Sequence, residues 1–159
     1  EGAVSTAGSG AAEDTGGRSP IKVGFLSAHF YFHSVGRLMI GLISKLSTMK
    51  KYNVFLIETE PPIILKDDDP VRVRLKKTHL PIIRLPENLQ QARKTISRLD
   101  LDILVFTEIG MNTLVSYLAY SRMAPSQVAF WGHPATTGPL TQIDYFVTSD
   151  LFEEEAGGA

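Results

Sequence analysis

Short apolar runs alternate with amphipathic stretches through the middle of this chain. Residues 21–27 form a nearly continuous apolar run, which is typical of a parallel strand covered on both faces. Turn-forming and polar residues separate this run from the following ones. The further predicted strands are Asn53–Glu58, a short Pro81–Leu85, Asp102–Phe106, Gln127–Trp131 and Asp144–Ser149.

Helical spacing appears between these runs. After the first strand, one stripe with the period of an α-helix is formed by Val35, Leu38, Met39, Leu42, Ile43 and Leu46. Ser34 is the predicted N-cap of this helix, and Asn88 is the predicted N-cap of a second one. A third helix is predicted over Thr113–Arg122. Strands that alternate with helices predict an α/β fold with a Rossmann-like, doubly wound parallel sheet.

The two ends of the chain lack this pattern. Residues 1–20 are rich in Gly, Ala and Ser, and we interpret them as a flexible linker. Residues 21–152 are predicted to form the folded lobe, and residues 153–159 a truncated tail. The chain begins with Glu1 instead of Met, which suggests a piece of a longer protein.

The stretch 59–79 interrupts the alternation. It carries Pro61-Pro62, an acidic run at Asp67–Asp69 and then several basic residues. This pattern could bind a charged partner, but a solvated connection is the simpler interpretation.

Composition excludes several classes of function. The chain has 159 residues, no cysteine and a formal net charge of −1, so a disulfide framework, a thiolate nucleophile and a cysteine zinc site are excluded. The charge balance gives no reason to expect nucleic acid or an anionic membrane as a partner. No apolar run approaches the roughly 18 residues of a membrane span.

Polar side chains follow three of the predicted strands. The first strand is followed by His29, His33 and Ser34, and the fourth by Thr107 and Glu108. The fifth strand leads into a loop with His133, Pro134, Thr136 and Thr137. Since ligands of open α/β sheets bind outside the carboxyl ends of the strands, we expect these three loops to form one site.

Each of these residues also has a simpler interpretation. His33 beside a helix start could be a neutral general base, or it could be a histidine bonded to the backbone there. Glu108 could be a base or could pair with a lysine, and His133-Pro134 could belong to a plain turn. His29 and His33 are four apart, but a loop conformation and the lack of a third ligand argue against a metal. No Gly-rich dinucleotide fingerprint and no P-loop motif occurs.

Four blocks of the sequence resemble the O-linked N-acetylglucosamine (O-GlcNAc) transferase and SPINDLY-type family, glycosyltransferase family 41. They are IKVGFLSAHFYFHSVGRLM, LDLDILVFTEIG, MAPSQVAFWGHPATTG and IDYFVTSD, of which the third is the most specific. In order and spacing they cover most of residues 21–150. Two positions depart from the family pattern, because His29 stands where the family has an acidic residue and His133 where it has a tyrosine.

The resemblance implies one lobe of a two-lobe GT-B glycosyltransferase. It implies an inverting, metal-independent transfer of N-acetylglucosamine from UDP-GlcNAc to Ser or Thr hydroxyls of proteins, with the UDP-sugar as co-substrate and no cofactor. It makes His33 the candidate base, and it places His29, Ser34, Thr107, Glu108, His133, Pro134, Thr136 and Thr137 in the donor or acceptor cleft.

The family also implies partners beyond this chain. A C-terminal catalytic lobe supplies most UDP contacts, upstream tetratricopeptide repeats recruit protein substrates, and the location is cytoplasmic or nuclear. We therefore expect the chain alone to be inactive. Two alternatives stay open, a related glycosyltransferase with another sugar or an Asn acceptor, and a non-catalytic α/β binding module.

Overall fold

A computed structural model describes residues 19–60, 65–130 and 140–149. Six parallel strands form one sheet in the order β3-β2-β1-β4-β5-β6. The strands are β1 Ile21–Ser27, β2 Tyr52–Glu58, β3 Ile82–Arg84, β4 Ile103–Phe106, β5 Ser126–Phe130 and β6 Tyr145–Val147. The helices are α1 Ser34–Ser47, α2 Pro70–Lys76, α3 Leu89–Ser97 and α4 Thr113–Leu118. The predicted linker 1–20, apart from residues 19 and 20, and the predicted tail 153–159 lie outside the described residues.

Two apolar cores cover the two faces of the sheet. On one face β1 and β2 pack against α1 and α2, through residues such as Phe25, Met39 and Leu75. On the other face β1 and β4 pack against α3 and α4, through residues such as Leu26 and Ile96. Since side chains of a strand alternate between faces, Phe25 and Leu26 enter different cores. The prediction of a doubly wound α/β sheet is confirmed.

Helix α1 presents a different face to the sheet from the one predicted. Val35, Met39 and Ile43 are buried as expected, but Leu38 and Leu42 are exposed. Ile40 is buried instead. The inward stripe is thus turned around the helix axis from the predicted one, because α1 also packs against α2, which the sequence pattern did not anticipate.

Helix α2 lies in the stretch that was interpreted as a solvated connection, and that interpretation is wrong for residues 70–76. Val71 and Leu75 are buried in the core shared with α1. Asp69 caps the helix by accepting from the backbone N–H groups of Val71 and Arg72, and Pro70 stands at its first turn. An Asp-Pro pair before an amphipathic stretch is the signal that predicts this helix.

The predicted third helix and the predicted last strand differ from the observed elements by a few residues at their ends. The predicted third helix extends to Arg122, whereas α4 ends at Leu118 with Ala119 as its C-cap. The predicted last strand is longer than β6. Within the described ranges, no helix is long and apolar enough to cross a membrane.

Candidate functional site

The site lies where the winding of the sheet changes direction. From β1 the chain continues to β2 on one side, whereas β4 pairs with β1 on the other side. The connections that leave the carboxyl ends of β1 and β4 therefore diverge, and the crevice between them is the usual binding place of open α/β sheets. His29 and His33 follow β1 at this point, and Thr107 and Glu108 follow β4.

The loop after β1 brings three rings together. The N–H of Tyr31 donates to the carbonyl of His29 at 2.8 Å, and the N–H of His33 donates to the carbonyl of Tyr31 at 2.6 Å. These successive bonds place the side chains of residues 29, 31 and 33 on the same side of the loop. The ring centroids of His29 and His33 are 4.4 Å apart and stacked, and Tyr31 lies 5.7 Å from each.

Gly36 allows this loop to sit on the first turn of α1. A Cβ atom at Gly36 would lie 2.2 Å from the carbonyl oxygen of Tyr31 and 2.6 Å from that of His29. Real side chains do not tolerate such contacts with backbone, so the loop approaches the helix this closely only because residue 36 is glycine.

His33, instead of the predicted Ser34, is the N-cap of α1. Its Nδ1 accepts from the N–H of Val35 at 3.3 Å, and its backbone is extended, as expected for a cap. Ser34 is the first helical residue and is exposed, with Oγ 3.5 Å from the same nitrogen. A neutral imidazole that accepts at Nδ1 carries its proton on Nε2, so the capping form of His33 offers an N–H donor at Nε2.

His29 is buried and keeps one nitrogen unpaired. Its Nδ1 is 3.1 Å from the hydroxyl of Tyr31, while Nε2 has no hydrogen-bond partner among the described residues. Burial, and secondarily the neighbouring His33, lower the pKa of His29 below its usual 6.5. His29 is therefore neutral near pH 7.

Thr107 and Glu108 lie beneath the loop and do not reach solvent. Glu108 is 0% exposed and Thr107 is 1% exposed. The Glu108 carboxyl accepts from Ala28 N–H at 2.7 Å and from the Ser27 hydroxyl at 2.8 Å, and it also contacts the Thr107 hydroxyl. Burial raises the pKa of Glu108, and these hydrogen bonds partly offset that effect.

Helix α2 supports the loop from the other side, which the sequence pattern did not reveal. The second carboxylate oxygen of Asp69 accepts from the N–H of Phe32 at 2.7 Å. The Arg72 guanidinium pairs with the buried Glu58 at the end of β2 and lies 3.5 Å from the carbonyl of Phe30. The loop after β1 is thus held by α2 as well as by α1.

The third predicted loop falls outside the described residues, so His133, Pro134, Thr136 and Thr137 have no described position. Strand β5, which precedes them, pairs with β4 and ends at the same edge of the sheet. In the described part of the chain, no group of three or more His, Cys, Asp or Glu residues could hold a metal ion.

Comparison with solved structures gives this fold a counterpart. The chain is similar to part of an O-GlcNAc transferase. A lysine-to-methionine mutant of the enzyme from Thermobaculum terrenum matches 80% of the chain with a TM-score of 0.61 and 24% sequence identity. The match covers 23% of that enzyme chain, so the present chain spans about a quarter of its length. No protein-family model and no curated protein sequence matches.

At this identity the likeness establishes the fold. The described residues form a Rossmann-like lobe that matches a lobe of a GT-B glycosyltransferase, as the sequence resemblance predicted.

Proposed function

We propose that this chain is the N-terminal catalytic lobe of a protein O-GlcNAc transferase, which transfers N-acetylglucosamine from UDP-GlcNAc to Ser or Thr hydroxyls. The observation that carries the proposal is the stacked pair His29–His33, which lies at the switch point of a sheet whose fold matches an O-GlcNAc transferase. This crevice is where an open α/β lobe binds its ligand. The metal-independent, inverting course of the transfer belongs to the same proposal.

Transfer to a hydroxyl needs a group that takes up the hydroxyl proton, and a neutral imidazole does so at neutral pH. The family resemblance makes His33 the candidate base. Its Nδ1 accepts from Val35 N–H, so while the cap is intact Nε2 carries the proton of the neutral ring and can donate a hydrogen bond but cannot accept one.

His29 meets the requirements of a base more directly. Burial keeps its imidazole neutral, and Nε2 is buried without a described partner. When Nδ1 carries the proton and donates to the Tyr31 hydroxyl, Nε2 is a free acceptor. We therefore assign proton uptake to this histidine pair, with His29 Nε2 as the acceptor and His33 Nε2–H as a donor to substrate oxygen.

The complete reaction requires more than this lobe in our proposal. A second lobe would supply most UDP contacts, and upstream tetratricopeptide repeats would present the protein acceptor. The isolated chain is accordingly expected to be inactive. This is consistent with a chain that spans only 23% of the matched enzyme.

The test is a transfer assay on the protein encoded by the full natural gene. Purified protein is incubated with radiolabelled UDP-GlcNAc or UDP-glucose and a mixture of protein acceptors, with and without a metal chelator. We expect label from UDP-GlcNAc on Ser or Thr, unaffected by the chelator. Preferential use of UDP-glucose, label on Asn, or no transfer from any donor would overturn the proposal.

A further inference from the structure

A buried carboxyl group connects the two strand ends that form the crevice. Glu108 follows β4, and its side chain reaches across to the end of β1. Oε1 accepts from Ala28 N–H at 2.7 Å, and Oε2 accepts from Ser27 Oγ at 2.8 Å. Ser27 Oγ in turn accepts from His29 N–H at 2.9 Å. Both peptide N–H groups that lead into the histidine loop are thus fixed, directly or through one hydroxyl, by Glu108.

Two observations bear on the proton of this carboxyl. Glu108 is 0% exposed, and the ion pairs of the described residues include none with it. A fully buried carboxylate without a counter-ion is costly, and such groups usually become neutral. The groups that face it from the loop after β1 are the neutral His29, reached through Ser27, and Tyr31, whose pKa is raised by burial and by Glu108.

The surrounding hydroxyls accommodate a proton on Oε2. The Thr107 hydroxyl contacts Oε2 and is also 3.1 Å from the carbonyl oxygen of Leu26. A protonated Glu108 can donate to Thr107 Oγ1, which then donates its own hydrogen to Leu26. Every hydrogen in this chain of bonds has an acceptor. Burial also raises the pKa of Glu108, in agreement with this arrangement.

We propose that Glu108 is a neutral carboxylic acid that positions the His29–His33 loop and does not touch the substrate. Its bonds to Ser27 and Ala28 set the path of the loop, and the loop sets the stacking of the two imidazoles. Glu108 is therefore a positioning residue. The role of the loop in sugar transfer rests on the proposed function, whereas the protonation and the positioning do not.

The protonation is tested by nuclear magnetic resonance on this 159-residue chain, with the side-chain carboxyl carbons followed as pH changes. We expect the Glu108 carboxyl carbon to keep the signal of a protonated acid at pH 7 and to titrate well above 4.5, the ordinary pKa of a glutamate. Glu108→Gln removes the carboxyl signal of Glu108 and so identifies it. Glu87→Gln makes the same change at an exposed position and serves as the matched control. A Glu108 carboxyl carbon with the signal of an ionised carboxylate at pH 7 would overturn the neutral acid.

The positioning is tested by the ring nitrogen signals of His29 and His33. Glu108→Gln keeps an oxygen for Ala28 N–H, and its two amide hydrogens can go to Thr107 Oγ1 and to Ser27 Oγ, in place of the bond that Ser27 donates to Oε2. The loop keeps both links to residue 108, so both rings should keep their signals. Ser27→Ala removes the acceptor of His29 N–H and should shift them. It is also a milder change than Glu108→Ala, which risks unfolding. Unchanged histidine signals in Ser27→Ala would contradict the positioning role.

In the full-length enzyme, Glu108→Gln should keep kcat within about tenfold of the wild type. A general base would lose about 10²- to 10⁴-fold in the same substitution, and that loss would overturn the inference. If the full-length protein transfers no sugar at all, only the proposed function fails, because the two resonance experiments need no donor.

Discussion

The imidazole rings of His29 and His33 lie face to face, with centroids 4.4 Å apart and planes 21° from parallel. Two positively charged rings at this distance would repel each other, and indeed His33 contributes to the lowered pKa of His29. The stacked geometry therefore disfavours a positive charge on both rings at once. The two rings also differ in their surroundings, since His33 caps a helix and His29 has a buried free nitrogen.

The first prediction distinguishes two roles of His33, the capping of helix α1 and general-base catalysis. His33→Asn retains a side-chain acceptor for Val35 N–H, whereas His33→Ala removes it. Unfolding in urea should show that the alanine variant loses about 1 kcal/mol of stability relative to the asparagine variant.

The same two variants in the full-length enzyme test the chemistry. If His33 is a donor and a cap, the asparagine variant should retain most of the turnover, because its amide can still donate. A loss of about 10²- to 10⁴-fold in His33→Asn would instead make His33 the base, as the family resemblance implies.

The second prediction concerns the pH dependence that His29 imposes on stability. Its folded pKa lies below the unfolded value of 6.5, so the unfolded state binds protons more readily as pH falls through 6.5. The wild type should therefore lose stability relative to His29→Gln as pH decreases from 6.5 toward the folded pKa. Urea unfolding of both proteins at several pH values measures this difference.

Glu108 changes the free energy of unfolding with pH in the opposite direction to His29. The wild type must therefore be compared with the His29→Gln variant, and not considered alone. A raised folded pKa means that its contribution to stability falls as pH rises above 4.5. Both His29→Gln and the wild type keep Glu108, so its contribution cancels in the comparison. If the difference in unfolding free energy between the wild type and His29→Gln does not change with pH, His29 is not held neutral by the fold.

Much of the fold could be predicted because the strands are buried on both faces and read as continuous apolar runs. The same pattern placed His29, His33, Thr107 and Glu108 at one edge of the sheet, and the structure confirms that placement. Which carboxyl lies beneath the loop depends on contacts between distant residues, whereas the choice of His33 over Ser34 as the helix cap is a local one that the sequence pattern does not decide. The bond of Glu108 to Ala28 spans 80 positions and leaves no local periodicity.

The third prediction tests the close approach of the loop to α1. Gly36→Ala would place a methyl group 2.2 Å from the carbonyl of Tyr31, so the loop or the helix must move. We expect a loss of about 1–3 kcal/mol in the free energy of unfolding, together with shifted histidine signals.

Gly41 in the same helix is the matched control, because a Cβ there meets nothing within 4 Å. Gly41→Ala should stabilise the protein by about 0.5–1 kcal/mol through helix propensity alone. A loss of stability in Gly36→Ala together with a gain in Gly41→Ala would demonstrate that the loop packs closely against residue 36. If Gly36→Ala also stabilised the protein, the described approach of the loop would be wrong.

The fourth prediction concerns Asp69, whose carboxylate has two tasks. One oxygen caps α2 and the other accepts from Phe32 N–H in the histidine loop. Asp69→Ala should therefore cost more than the roughly 1 kcal/mol of a simple cap, and it should increase amide hydrogen exchange at Phe32 as well as in α2.

Asp68→Ala provides the comparison, since Asp68 is exposed, belongs to the same acidic run and makes neither contact in the described structure. It should leave stability within about 0.5 kcal/mol of the wild type. If both aspartates behaved alike, the acidic run would act only through its overall charge. A specific effect of Asp69 on Phe32 would instead show that α2 holds the loop that carries His29 and His33.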